Sequence, residues 1–201
     1  MIVMPVAEAV STEQAILDAA DRMIGRYGLR KTTMEDVARE AGFSRGTVYG
    51  YFRSKQDLAL ASIDRVVMQA HEQMDRESRT GETPAERLYR MLVARVAARI
   101  EKVRDSTQSL DTIFAEVRPA YMQRRRAYFD QEARMLAEVI EHGQRMNDFG
   151  TMNALETAQL FVEATNAYIP YSLSLEELQQ PGDLQGRIEK MAAILVAGIS
   201  R

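Results

Sequence analysis

The sequence lacks cysteine entirely and has only two histidines among its 201 residues. Without cysteine the chain can form neither a disulfide nor a thiolate metal site, which fits a protein of the cytoplasm. No apolar run approaches the roughly 18 residues that a membrane-spanning helix needs. The first residues, MIVMPVAEAV, contain neither the basic segment nor the long apolar segment of a signal peptide. We therefore expect a cytoplasmic protein without membrane anchor or leader, and we expect no metal or other cofactor.

The sequence also lacks any segment in which apolar and polar residues alternate steadily, which is the pattern of a half-buried strand. Its apolar residues recur instead at helical spacing between glycines, prolines and capping residues. Hydrophobic residues make up 46% and charged residues 27% of the chain, enough apolar side chain for a sizeable core in one or two small domains. The sequence therefore predicts an all-α protein of about nine helices.

Capping residues and prolines set the expected helix boundaries. Residues Met1 to Val10 show neither a cap nor a helical period, so we expect a flexible arm there. A capping box at Ser11–Gln14 would then start the first helix. The step Arg118–Pro119 is expected to end a short helix that begins at Gln108, because a residue before proline disfavours helical geometry. A separate long helix would run from Ala120 to Met146.

Three further boundaries follow from the same residue types. The polar stretch from Glu77 to Thr83 is typical of a linker, and Pro84 at a first helical position would start a new helix. Asn153 is expected to cap another helix, which Pro170 would kink or end. The last helix is expected to follow Pro181.

The stretch from Ala41 to Asp57, AGFSRGTVYGYFRSKQD, joins two short helical segments through a tight turn. Gly42 ends the first segment and Ser44 is expected to cap the second, which is the signature of a helix-turn-helix. The whole chain has a net charge of −3, but six basic residues stand against three acidic ones between Arg30 and Lys55. A locally basic surface of this kind suits a docked nucleic acid.

The two faces of the second helix in this stretch differ. Val48 and Phe52 are four residues apart and can anchor the helix to a core, while Gly46 and Gly50 fall on roughly the opposite face. A glycine inside a helix costs about 1 kcal/mol relative to alanine, so two of them on one face need a reason. Close approach of the helix backbone to a partner is such a reason. The flanking hydroxyl and cationic residues suit phosphates and base edges: Arg45, Thr47, Tyr49, Tyr51, Arg53 and Lys55.

The run from Thr33 to Lys55, followed by Leu58, resembles the N-terminal domain of the tetracycline-repressor (TetR) family of bacterial transcription regulators. The resemblance covers roughly the first third of the chain, and the remainder is similar to the family in its length and helical pattern. The chain departs from many relatives at Gly50, where they carry a larger side chain. The positions that carry the resemblance are Thr33, Ala38, Ala41, Gly42, Ser44, Gly46, Tyr49, Tyr51, Phe52, Ser54, Lys55 and Leu58.

This resemblance implies a homodimeric, ligand-responsive transcription regulator, a repressor, that binds a palindromic operator in double-stranded DNA. Residues 1–56 would form the three-helix DNA-binding domain with its N-terminal arm. Residues 57–82 would form a connecting helix and linker, and residues 83–201 a helical domain for ligand binding and dimerisation.

The resemblance also implies which residues meet the duplex. Base edges in a major groove would be read by Arg45 and the start of its helix. Phosphates would be held by Thr33, Tyr49, Lys55 and the amide end of the fourth helix. The full set of expected DNA contacts is Thr33, Ser44, Arg45, Gly46, Thr47, Tyr49, Gly50, Tyr51 and Lys55.

In the C-terminal domain the resemblance implies a small-molecule cavity and a dimer interface in the last two long helices. A lining of tyrosine and methionine suits a small, mostly apolar inducer. The residues expected to line the cavity, each of which also has a core interpretation, are Met91, Phe114, Tyr121, Tyr128, Phe129, Phe161 and Tyr168. The apolar stripe from Ile188 to Ile199 likewise either packs in the core or pairs with a second copy of the chain.

Two other classes of protein compete with this interpretation. Gly42–Gly46 matches the G-x-S-x-G pattern of a hydrolase nucleophile elbow, but that elbow needs a preceding strand and the residues before Ser44 are helix-periodic. The run His71–Asp75 is distantly similar to a zinc-protease motif, without its second histidine. An enzyme is therefore disfavoured. A DNA-binding architectural or accessory protein of the same fold, with no inducer, stays open and would lack an internal cavity.

Overall fold

The computed structural model of the chain describes residues 6–104, 110–179 and 181–201, with side chains for 12–101, 116–174, 176–178 and 183–201. Within these residues the fold is all-α, as predicted, with nine α-helices and no β-strand. The helices are α1 Val6–Tyr27, α2 Met34–Ala41, α3 Arg45–Tyr51, α4 Lys55–Ser78, α5 Pro84–Arg104, α6 Leu110–Arg145, α7 Ala154–Thr165, α8 Leu175–Gln179 and α9 Pro181–Ala197. None of the described helices has the length and apolar character needed to cross a membrane.

Several helices start where the capping residues predicted. The hydroxyl of Thr83 accepts a hydrogen bond from the Glu86 amide at 3.1 Å, and α5 begins at Pro84. The side chain of Asn153 likewise accepts from the Glu156 amide at 3.2 Å at the start of α7. Each cap gives a partner to an amide that helical geometry leaves without one.

Helix α1 begins at Val6, so the prediction of a flexible arm followed by a cap at Ser11 is wrong for residues 6–11. The segment Val6–Val10 contains alanine and glutamate, two strong helix formers, and neither glycine nor proline. Thr12 and Ile16 in the following turns are buried, which fixes the helix that the earlier residues extend. The rest of the predicted arm, residues 1–5, lies outside the described residues.

Helix α6 continues through Pro119, so the prediction of two separate helices here is wrong. Proline lacks an N–H and normally breaks a helix at a cost of about 3 kcal/mol. Val117 and Tyr121 on either side of it are only 2% and 6% exposed, whereas Pro119 itself is exposed. Ending the helix at Arg118 would uncover this packing, so burial decides the outcome. The predicted start at Gln108 lies outside the described residues.

Helix α7 ends at Thr165, and two short 3-10 turns, Asn166–Tyr168 and Pro170–Ser172, follow it. Between them Ile169 is extended, with ψ 149°. This is the conformation that a residue before proline prefers. The α-helix thus ends before Pro170, which was predicted to kink or end it, but its last residue, Thr165, lies five residues before the proline itself.

The chain packs as two compact units whose borders fall inside α4 and α6. The first unit contains the described residues up to Arg65 together with 110–121. Its buried core includes Ile16, Leu29, Val37, Val48 and Leu58. The second unit contains Val66–Arg104 and Met122–Arg201. Its buried core includes Met74, Leu88, Met91, Leu136, Ile140 and Phe161.

The apolar stripe of the last helix is largely part of this second core. Ile188 is fully buried, and Leu195 and Ile199 pack against the same cluster of side chains. The core interpretation therefore holds for these three residues. Other large apolar side chains of α7 and α9 are exposed: Leu155 (44%), Leu160 (60%) and Ile194 (67%).

Candidate nucleic-acid interface

The turn between α2 and α3 is fixed by hydrogen bonds at both helix ends. Gly42 ends α2 in the left-handed conformation (φ +73°), and its N–H donates to the carbonyls of Ala38 and Arg39. Ser44 caps α3, because its hydroxyl accepts from the Thr47 amide at 3.0 Å. Both predicted cap residues are confirmed. Local hydrogen bonds thus end α2 and start α3.

Helix α3 has one buried and one exposed face. Val48 is fully buried and Phe52 is 6% exposed, so these residues anchor the helix as predicted. Gly46 and Gly50 are exposed on the other face. A Cβ at Gly50 would meet nothing within 4 Å, and one at Gly46 would meet only the Ser44 hydroxyl at 3.7 Å. Packing within this chain therefore requires glycine at neither position.

Arg45 lies at the start of α3 and is held by two neighbours. Its guanidinium forms an ion pair with Glu35 of α2 and lies 5.3 Å from the centroid of the Tyr49 ring. The pKa of Arg45 is raised mainly by its hydrogen bond with Tyr49 and next by the charge of the Glu35 carboxylate, so the side chain stays charged. The Arg45 and Glu35 side chains are 61% and 64% exposed. This exposure leaves the guanidinium free to exchange Glu35 for another anion.

Lys55 has a structural partner of its own. Its ammonium donates to the carbonyls of Leu29 at 2.9 Å and Arg30 at 3.1 Å, so it ties the start of α4 to the loop between α1 and α2. At the same helix end Asp57 accepts a hydrogen bond from the Arg53 amide at 3.2 Å. Any phosphate at this position would therefore share Lys55 with backbone carbonyls.

The other side chains around α3 divide into paired and unpaired groups. The hydroxyl of Thr33 donates to Asp36 at 2.6 Å, and Arg39 pairs with the same carboxylate at 2.5 Å. The hydrogen bonds from Thr33 lower the pKa of Asp36, and the charge of Arg39 lowers it further by a smaller amount. Lys31 and Arg53 are exposed and form no ion pair with any residue for which the structure describes a side chain.

Sequence reasoning assigned no DNA contact to Lys31 and named Arg53 only as a flanking cation. No local signal distinguishes these two from the paired cations, because pairing depends on the fold. Arg30, for example, pairs with Glu116 at 3.2 Å, a residue far along the chain. Thr47 and Tyr51, also predicted contacts, are half-buried beside the exposed Tyr49.

Three of the residues predicted to line a ligand cavity share one cluster, in which Phe129 packs against the core that contains Met91 and Phe161. Met91 and Phe161 belong to the core of the second unit, whereas Tyr121 belongs to the first unit. Phe129 is half-buried, with the guanidinium of Arg95 5.2 Å from its ring centroid. Of the other residues predicted for the cavity, Tyr128 is half-buried and Tyr168 is 9% exposed. The side chain of Phe114 lies outside the described residues.

A buried cluster of charges lies in the second unit, and sequence reasoning missed it. Glu132 is fully buried and accepts a hydrogen bond from Arg95 at 2.6 Å; it also pairs with Arg99 and with the Nε2 of His71 at 3.2 Å. Arg95 donates further to Thr165 at 2.8 Å. Burial raises the pKa of Glu132, but the charges of Arg95 and Arg99 outweigh it and hold the pKa at about 2.

A groove of about 410 Å³ opens on the second unit between α4, α5 and α9. Its floor is apolar and its rim carries three glutamates, Glu77, Glu101 and Glu189. None of the residues predicted for the ligand cavity lines this groove.

Two family models match the chain. One, described as bacterial regulatory proteins of the tetR family, matches residues 16–62 and thus α2, α3 and the turn between them. The other, a tetracyclin repressor-like C-terminal domain, matches residues 84–183. The chain belongs to the TetR family. TetR-family proteins are DNA-binding transcription regulators and not enzymes, which excludes the hydrolase interpretation of Gly42–Gly46.

Individual TetR relatives match along most of the chain. The uncharacterised regulator YfiR of Bacillus subtilis is 24% identical over 185 residues, which cover 87% of this chain and 85% of YfiR. A transcriptional regulator from Cytophaga hutchinsonii has the same fold with a TM-score of 0.75 at 22% identity, over 94% of this chain and 98% of that one. SmeT, solved as a complex with triclosan, has a TM-score of 0.62 at 19% identity, over 95% and 92% of the two chains.

Proposed function

We propose that this TetR-family regulator is a cytoplasmic homodimer that represses transcription from a palindromic operator, and that a small, mostly apolar molecule releases it. Regulation of transcription through DNA binding follows from the family. Each half of the palindrome would take one copy of α3 in its major groove.

The exposed glycine face of α3 carries this proposal. Each glycine in a helix costs stability, and packing within the chain requires neither Gly46 nor Gly50. A duplex that comes close to the backbone of α3 supplies the missing reason, because a side chain at either position would hold the surfaces apart.

The side chains around this face divide into base-reading and phosphate-binding groups. Arg45 is exposed at the start of α3, and its planar guanidinium can pair with both acceptors of a guanine edge. Phosphates on either side of this face would be bound by Thr33, Tyr49 and Lys55. The exposed cations Lys31 and Arg53 would add to these contacts without reading sequence.

The exposed apolar side chains of α7 and α9 support a dimer. These two helices pack on each other in the second unit. Leu160 and Ile194 are at least 60% exposed, so each leaves most of a large apolar side chain in contact with solvent. Pairing with the same surface of a second copy would bury them and would place two α3 helices on a two-fold symmetric site.

Response to a small molecule is supported by an open groove in the second unit and by a relative. SmeT, which has the same fold, was solved with triclosan, a small and largely apolar compound. A ligand can shift the regulator between two states only through different affinities for them, and a typical coupling of about 1–3 kcal/mol changes operator affinity roughly 5–150-fold.

The experiment that tests DNA docking replaces Gly50 with alanine. A duplex is first selected from a random library by the wild-type protein, and affinities are then measured by fluorescence anisotropy. Since Gly50→Ala improves helix propensity by up to about 1 kcal/mol, its melting temperature should equal or exceed that of the wild type. Its affinity for the selected duplex should nevertheless fall at least about tenfold, because the new methyl group meets the duplex.

A matched control is available in α9. Gly186 also has nothing within 4 Å of an added Cβ, so Gly186→Ala makes the same helix-stabilising change in another helix. Because α9 is part of the proposed dimer interface, light scattering must show the same mass for this variant and the wild type. Its duplex affinity should stay at the wild-type value. Equal duplex affinity of the Gly50→Ala variant and the wild type would reject docking through this face.

A further inference from the structure

The groove of the second unit is shaped by short side chains of α5. Val93, Ala94, Ala97 and Ala98 line it, and their spacing places them on one side of that helix. Because these side chains are small, the neighbouring helices α4 and α9 leave a space of about 410 Å³ above them. The floor of the groove is therefore apolar and can receive the body of a small molecule.

The rim of the groove is acidic. Glu77, Glu101 and Glu189 line it together with a single cation, Arg90. The guanidinium of Arg90 is 2.6 Å from Glu86, which lies outside the groove, and 3.9 Å from Glu77. Arg90 is thus already neutralised by Glu86, and the three lining carboxylates keep an excess of negative charge.

Hydrogen bonds to two of these carboxylates come from neutral groups. Glu77 accepts from the Gln73 amide at 2.8 Å, and Glu189 accepts from the Gln185 amide at 2.7 Å. Glu101 is exposed and has no ion pair with any residue for which the structure describes a side chain. Neutral donors orient carboxylates but leave their charge in place.

An aromatic ring completes the lining. Tyr89 is half-buried in the groove wall. Burial, and after it the charge of Glu189, raises the pKa of Tyr89, so the phenol is neutral at physiological pH. The face of a neutral phenol attracts cations and also packs against apolar groups.

We propose that this groove binds an organic cation with an apolar body, and that this cation is the molecule to which the regulator responds. The inference rests on the proposed ligand-responsive function and names the chemical class of the ligand. The apolar body would lie on the alanines of α5 and the charge would face the three glutamates. An anion of the same size would be repelled, and a neutral compound would desolvate the carboxylates without giving them a partner.

The groove also has a direct covalent connection to the DNA-binding unit. Gln73 and Glu77 belong to α4, a continuous helix that begins at Lys55. A ligand that binds these two residues and α5 therefore acts on the helix that directly follows the helix-turn-helix. Such an element can pass a small displacement from one unit to the other.

The first measurement compares two ions that differ in charge but hardly in shape. Tetraphenylphosphonium is a cation and tetraphenylborate an anion, and both present four phenyl rings around a central atom. Calorimetric titration of the full chain in a sodium buffer should show binding of the phosphonium at least about tenfold tighter than binding of the borate. The phosphonium affinity should fall as salt is added, because ions screen exposed carboxylates.

The second measurement removes two of the three negative charges that line the groove without changing its shape. The double variant Glu101→Gln and Glu189→Gln should bind tetraphenylphosphonium at least about tenfold more weakly than the wild type. The control is Glu138→Gln, which removes one exposed charge from α6 outside the groove and should leave the affinity unchanged. Melting curves of all three proteins show that each variant is folded.

Duplex affinity, measured with and without the phosphonium, separates this inference from the proposed function. A chain that binds no duplex even without added compound would reject the proposed function, while calorimetry would still test the cation site. With duplex binding intact, equal binding of the two ions would overturn the cation site, as would unchanged binding by the double variant. Tight phosphonium binding that leaves duplex affinity unaltered would overturn the regulatory role. A drop in duplex affinity on adding the phosphonium, seen only in proteins that keep Glu101 and Glu189, supports that role.

Discussion

The guanidinium of Arg45 on α3 is paired with the carboxylate of Glu35 on α2, and the same guanidinium stacks against Tyr49. Both members of the ion pair are more than half exposed. A duplex that takes Arg45 as a contact must therefore displace Glu35, which competes for the guanidinium in the DNA-free protein. We therefore expect the pair to lower affinity for any duplex that Arg45 contacts.

We accordingly expect Glu35→Gln to raise duplex affinity by up to about fivefold, the upper range for breaking an exposed pair. Fluorescence anisotropy at low salt measures this gain, which should shrink as salt screens the pair in the wild type. The control is Glu40→Gln, since Glu40 also lies on α2 but pairs with Arg22 at 2.7 Å. Equal gains from both variants would mean that only the net charge of α2 matters.

Loss of Arg45 should change sequence preference. A bidentate contact to a base discriminates between sequences, so Arg45→Ala should lower the ratio of selected-duplex to random-duplex affinity at least about tenfold. Competition binding at several salt concentrations measures this ratio. An unchanged ratio would make Arg45 a phosphate contact instead.

Loss of Lys55 should act on all duplexes alike. Lys55→Ala removes a phosphate contact, so its affinities for the selected duplex and for a random duplex should fall by similar factors. The slope of log affinity against log salt concentration should become shallower by roughly one unit per subunit. Because Lys55 also donates to the carbonyls of Leu29 and Arg30, the variant should melt at a lower temperature than the wild type. Binding must be measured below that temperature. A change in sequence preference would contradict this role for Lys55.

Sequence alone predicted the elements whose causes are local. Gly42 and Ser44 end and start helices through contacts within five residues, and Val48 is buried because helical spacing alone fixes its face. These signals need no knowledge of the rest of the chain. The helix-turn-helix could therefore be placed residue by residue.

Features that depend on distant residues could not be predicted in this way. Helix α6 passes through Pro119 because burial of Val117 and Tyr121 outweighs the local cost of proline. The groove is formed by α4, α5 and α9, so no single stretch of sequence contains it. Lys55 finds its carbonyl partners more than twenty residues earlier in the chain. Only tertiary packing decides such contacts.

Breaking the buried cluster around Glu132 should cost more stability than breaking any of the exposed ion pairs. Glu132→Gln leaves Arg95 and Arg99 buried without a counter-charge, so the free energy of unfolding should fall by about 3–5 kcal/mol. Denaturant titration measures this loss. The exposed control Glu138→Gln should change the free energy by no more than about 0.5 kcal/mol.

The effect of Glu132 should also depend on pH in a defined direction. The cluster lowers the pKa of Glu132 from 4.5 to about 2, so the unfolded chain binds this proton more readily than the folded one. The stabilisation is complete above pH 4.5 and is lost as pH falls towards 2. The difference in unfolding free energy between wild type and Glu132→Gln should shrink over this range. A difference that stays constant would show that the ionised carboxylate is not its source.

The dimer is tested best at Ile194, because Leu195 next to it packs against the core and a charge there would destabilise the subunit itself. Ile194 is 67% exposed, so a glutamate at this position is tolerated by the monomer. In a two-fold interface the charge enters twice and, left without a partner in apolar surroundings, costs several kcal/mol.

Light scattering at micromolar concentration should therefore show the wild type at twice the subunit mass and Ile194→Glu at the subunit mass. The selected duplex should also be bound more weakly by the variant, since each half-site would then be filled separately. The control is Met68→Glu on α4, which places the same charge at a position of similar exposure, 61%, on a helix outside the proposed interface. It should remain dimeric. A monomeric wild type would reject the dimer, and a dimeric Ile194→Glu variant would move the interface to another surface.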